Sequence, residues 1–78
     1  MILKNVNQLK RGEKGHVRRF SDDQIAGKLL TMGVLPDSKV EVIRVAPFKG
    51  GYYLKVDGNG LAIRENEAAN IILEIANN

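Results

Sequence analysis

The sequence predicts a mainly β fold, a small and partly open barrel of about five strands with one α-helix after the first strand. Three observations carry this expectation. Short runs rich in β-branched residues recur behind turn signals at 39–45, 52–56, 61–64 and 71–75. A capped stretch with helical periodicity occurs once, between residues 21 and 33. The 78 residues include no Cys and one His, so a single domain over 1–78 must be held by apolar packing, for which 44% hydrophobic residues supply the material.

Taken in order, Gly12 and Gly15 bracket a turn, and Gly15–Phe20 reads as a short strand with His16, Arg18 and Phe20 on one side and Val17 and Arg19 on the other. Ser21 and Gln24 have the spacing of a capping box, which makes Ser21 the expected helix cap. Ile25, Leu29 and Met32 then form one apolar face, widened by Leu30, while Asp23, Lys28 and Thr31 look outward. Gly33 and Pro36 end the helix. Gly27 costs about 1 kcal/mol relative to Ala inside a helix, which implies that another backbone packs closely against it.

Behind Pro36-Asp37-Ser38, the strand 39–45 changes parity between Val42 and Ile43, so it carries a bulge near Val42 or has both faces partly covered. Pro47–Gly51 is a loop, and Tyr52, Leu54 and Val56 share one face of the next strand. Asp57-Gly-Asn-Gly60 is a hairpin turn into 61–64. A single helical turn at 65–69 and a last strand at 71–75 complete an SH3-like barrel outline, in which any open strand edges permit self-association.

The chemistry-bearing patterns are sparse. His16 alone, even with Glu13 nearby, supplies no metal-ligand set, and no metal or cofactor is expected. The 57–60 segment fails as a calcium loop because Ala62 and Ala68 stand where the Gly and the closing Glu belong. Ser21, His16 and Asp22 are the elements of a nucleophilic triad, but Ser21 is better explained as a cap. No phosphate-cradling or dinucleotide motif is present, so no catalytic residue is assigned and the chain is not expected to be an enzyme.

Charge is local: residues 1–19 carry six basic side chains against Glu13 alone, a net of +5, and the remainder has a net of −2. The basic opening is a candidate partner-facing edge. Nucleic acid is a weaker expectation, since Phe20, Phe48, Tyr52 and Tyr53 form no continuous stacking platform, and adjacent Tyr52 and Tyr53 face opposite sides of a strand. No apolar run approaches the roughly 18 residues of a membrane span and the start lacks a signal-peptide stretch, so a cytoplasmic protein without membrane insertion is expected.

Three segments in fixed order carry a resemblance. They are Leu29-Leu-Thr-Met-Gly-Val-Leu-Pro-Asp-Ser-Lys-Val40, Ala46-Pro-Phe-Lys-Gly-Gly51 and Gly58-Asn-Gly-Leu-Ala-Ile-Arg64. Over roughly Leu9–Ile75 the chain resembles the FeoA family, small cytosolic proteins of bacterial ferrous iron uptake. The resemblance implies an SH3-like, non-enzymatic accessory that binds the cytosolic GTPase region of the membrane transporter FeoB. The same domain type is similar to the C-terminal module of DtxR-type metal-dependent repressors, so a stand-alone metal-responsive regulatory module is the alternative, with a nucleic-acid-binding barrel third. Asp37 stands where the family usually has Gly, Lys28 where Arg is common and Gly51 where Pro is frequent. On this reading the candidate contacts are Asp23, Lys28 and Thr31 of the helix, with Pro47, Phe48, Lys49, Gly50, Gly51 and Tyr52 of the loop. The competing reading of the loop has Phe48 closing one barrel end.

Overall fold

The computed structural model describes residues 2–76. Strand β1 (Ile2–Asn5) leads through a 3-10 turn at Val6–Gln8 to β2 (Lys14–Phe20), and helix α1 (Asp23–Thr31) follows. Next come β3 (Lys39–Val45), the turn Pro47–Lys49, β4 (Tyr52–Val56), β5 (Asn59–Ile63), the short helix α2 (Glu65–Ala68) and β6 (Ile71–Ile75). The strands form one antiparallel sheet in the order β1-β6-β2-β3-β4-β5. The mainly β expectation holds, with six strands in place of about five. β1 has no local signal of its own, because it is only four residues long and is defined by pairing with β6, far along the chain.

Each expected strand alternation meets the core as its parity dictates, except where a bulge intervenes. Tyr52, Leu54 and Val56 of β4 are all buried, as period two requires. In β3 the register with β4 shifts between Val42 and Arg44, which is the bulge that the change of parity signals. A second shift, between Val17 and Arg19 where β2 meets β6, corrects the predicted β2 faces. The extra residue turns Phe20 to the side of Val17, so Phe20 packs against the core while Arg18 and Arg19 are exposed. Val6, which opens the first turn, Leu9, which follows it, and Ile71 and Leu73 of β6 complete the apolar interior with Leu29 of α1.

The helix begins one residue later than the capping-box spacing implies. Asp22 is the cap, its Oδ1 accepting the Gln24 and Ile25 N–H groups at 2.8 and 3.4 Å, while Ser21 Oγ bonds Asn70 Oδ1 at 2.5 Å. The exit follows the sequence: Gly33 takes φ 95°, its N–H bonds Leu30 O at 3.1 Å, and Val34 N–H bonds Leu29 O at 3.0 Å, the Schellman pattern. Gly27 contradicts its expectation, since nothing lies within 4 Å of where its Cβ would be. The close backbone approach is instead at Gly15, where a Cβ would stand 2.6 Å from Glu74 O on β6.

Candidate partner-binding surface

The loop joining β3 to β4 is closed at its neck by Ala46 N–H donating to Gly51 O at 3.0 Å, and inside it Gly50 N–H donates to Pro47 O at 3.1 Å. That tight path forces left-handed backbone on two residues that have side chains, Phe48 at φ 57° and Lys49 at φ 56°. Each such residue costs on the order of 1–2 kcal/mol. Gly51 takes φ 109°, and a Cβ there would collide with Ile63 O, so neither Ala nor Pro fits. The outcome is an aromatic ring held in water: Phe48 is 101% exposed and closes no barrel end. Covering a Phe ring gains about 1.5–3 kcal/mol, and no packing within this fold collects it.

The other expected contacts divide between surface and scaffold. Tyr52 is only 8% exposed, so as a contact residue it is corrected: its ring lies in the core and anchors the end of the loop. Its hydroxyl bonds Asn7 O at 3.4 Å, and burial, helped by the nearby Glu65 carboxylate, raises its pKa above the ordinary tyrosine value. Pro47, Lys49 and Gly50 are exposed, whereas Gly51 is buried.

On α1, Asp23 is exposed in the first turn and Thr31 is exposed with its hydroxyl donating to Lys28 O at 2.6 Å. Lys28 reaches across to α2, where its Nζ lies 2.6 Å from Glu67 Oε2. Glu67 is 4% exposed, and its Oε1 also accepts the Arg64 N–H at 2.7 Å. That backbone bond, then the Lys28 ammonium, holds the carboxyl below the ordinary glutamate range against the opposing effect of burial. The acids of α2 thus engage two other elements: Glu65 approaches Tyr52 of β4, and Glu67 holds Lys28 of α1.

The residues considered for catalysis or metal binding are placed apart or otherwise engaged. Ser21 bonds Asn70 rather than His16, and Asp57 accepts the Lys39 N–H at 2.9 Å within a turn whose Asp57 and Gly58 both have positive φ. Among the described residues no three His, Cys, Asp or Glu side chains gather as a metal site. No helix is long and apolar enough to cross a membrane. Of the aromatics, Tyr52 is core, Phe20 is half-buried, and Tyr53 lies over Gly60 on the outer face. One feature escaped sequence reasoning: the basic stretch Lys10-Arg11 is brought beside Arg44 of β3, 33 positions away, a juxtaposition that only strand pairing creates.

This strained loop with its bare ring, the Gly33 exit and the Asp57-Gly58 hairpin occur at the three segments that carry the family pattern, and the FeoA domain model matches residues 4–75. The chain belongs to the FeoA family. The solved structures agree on an SH3-like fold. A crystal structure of the iron uptake regulatory protein FeoA superposes with TM-score 0.81 at 23% identity, covering 94% of this chain and 96% of that one. The FeoA-like protein from Clostridium acetobutylicum gives TM-score 0.87 at 20% identity, with 100% and 92% covered. A manganese-dependent transcriptional repressor gives TM-score 0.85 at 20% identity, where 95% of this chain matches 42% of the repressor. No curated protein gives a significant sequence match. Two departures from the usual FeoA pattern have local explanations. Asp37 adopts φ 68°, a region Asp tolerates, and Gly51 at φ 109° excludes the Pro often found there.

Proposed function

We propose that this FeoA domain is a non-enzymatic cytoplasmic accessory of ferrous iron uptake that docks on the cytosolic GTPase region of an FeoB-type membrane transporter, with Phe48 as the anchor. Family membership supports the place in iron transport. The observation that carries the docking is a fully exposed Phe on left-handed backbone. Strain of this kind persists where a surface needs that shape, and a large apolar ring gains its free energy only when a partner covers it. The exposed Asp23 and Thr31 on α1 are secondary contacts.

The test is capture of the transporter's GTPase region by the full chain, with and without guanine nucleotide, for the wild type and Phe48→Gly. Glycine relieves the φ strain, so the variant folds at least as well. Losing the ring is expected to weaken binding by about tenfold or more. Equal binding by the two proteins removes Phe48 as anchor. No association in either nucleotide state, together with unchanged ferrous uptake in a deletion strain, removes the function itself.

A further inference from the structure

The ladder between β2 and β3 stops early. Its last strand pair is Lys14 with Glu41, followed by Val42 N–H to Glu13 O at 2.9 Å and Gly12 N–H to Val42 O at 2.8 Å. β3 nevertheless runs on to Val45, paired there with β4 alone. On the side β2 has vacated, an open groove of about 750 Å³ lies between Leu9, Lys10 and Arg11 and the strand end Ile43, Arg44 and Val45. Half of this lining is aliphatic, and its three charged groups are all cations. Among the described residues no carboxylate comes within 4.0 Å of any of the three. The neighbouring acid, Glu13, turns its Oε1 to the Lys10 backbone N–H at 2.7 Å.

We propose that this groove binds an extended acidic peptide segment of a partner protein, which adds as a strand along Ile43–Val45. A strand edge binds any extended chain through main-chain hydrogen bonds, while the side chains beside it select the sequence. Here the aliphatic Leu9, Ile43 and Val45 favour apolar side chains on the segment, and Lys10, Arg11 and Arg44 attract its carboxylates. The lining contains no aromatic side chain on which a base would stack, which favours a peptide over nucleic acid. The inference goes beyond the docking proposed for Phe48, because that residue is not part of the groove, and the two fail separately.

The probe is a fluorescein-labelled peptide of about ten alternating Glu and Val residues, long enough to span the exposed strand end. Its controls are the same peptide with Lys for Glu and a single-stranded oligothymidine. The Glu peptide is expected to bind the full chain at low ionic strength and to shift the amide resonances of Leu9–Arg11 and Ile43–Val45. Arg11→Glu with Arg44→Glu is expected to weaken it by about tenfold. Lys10→Glu, a single exposed change, is expected to weaken it by about threefold and serves if the double variant fails to fold. Both variants are expected to retain capture by the GTPase region. Absence of binding at low salt, equal binding of the Lys peptide, shifts confined to other residues, or tighter binding of the oligonucleotide at these residues each overturns the proposal.

Discussion

Replacing Lys28 by Met keeps most of the aliphatic stem and removes the ammonium that lies 2.6 Å from the buried Glu67 carboxylate. Stripping the partner from a fully buried ion costs about 3–5 kcal/mol, whereas an exposed pair contributes only about 0.2–1 kcal/mol. The Lys28 side chain is 57% exposed while that of Glu67 is 5% exposed, so water takes over part of the lost interaction and the expected loss is about 1–2 kcal/mol. For a domain of this size each kcal/mol moves Tm by about 4–8 °C, which places the shift at roughly 5–15 °C by thermal melts at neutral pH.

The acid dependence follows from the depressed Glu67 pKa. Its contribution to stability is fully present above the unfolded value of 4.5 and is lost as pH falls through the lower folded value. The gap between wild type and variant should therefore close as pH drops well below 4.5. A Tm loss below about 2 °C, or a gap that persists unchanged in acid, refutes the assignment of Lys28 as the link between α1 and α2.

Gly27→Ala should raise stability by up to about 1 kcal/mol in a denaturant melt, since its Cβ meets nothing within 4 Å and Ala is the better helix former; a loss shows that a neighbour does pack there. Asp22→Ala should cost about 0.5–2 kcal/mol by removing the acceptor for two helix N–H groups. Ser21→Ala should leave the helical signal in circular dichroism intact, because Ser21 bonds Asn70 rather than the helix; the opposite order of effects restores Ser21 as the cap.

The elements readable from sequence were those with local causes. The β3 bulge is written in the change of parity from Val42 to Ile43, the helix exit in Gly33 and the hairpin in Asp57-Gly58. Misreadings arose where a distant segment decides. β1 exists because β6 pairs with it, and Phe20 joins the core because β6 forces a bulge into β2. Ser21 had a cap's spacing, yet Asn70 takes its hydroxyl and Asp22 caps the helix instead. The need for Gly from close packing was assigned to Gly27 but belongs to Gly15. The candidate contacts divided in the same way: Phe48 is exposed and Tyr52 lies in the core, while Lys28 pairs with Glu67 and keeps its side chain 57% exposed.

Composition and pattern alone determined an apolar-packed, mainly β fold with a basic opening, one His and no Cys, because hydrophobic period, turn chemistry and residue counts are properties of the chain itself. Tertiary structure decided which side chains remain available to a partner. Exposure of Phe48, capture of Lys28 by α2 and the meeting of Lys10 and Arg11 with Arg44 all depend on segments far apart in sequence. Strand pairing sets those neighbours, and no local propensity records them.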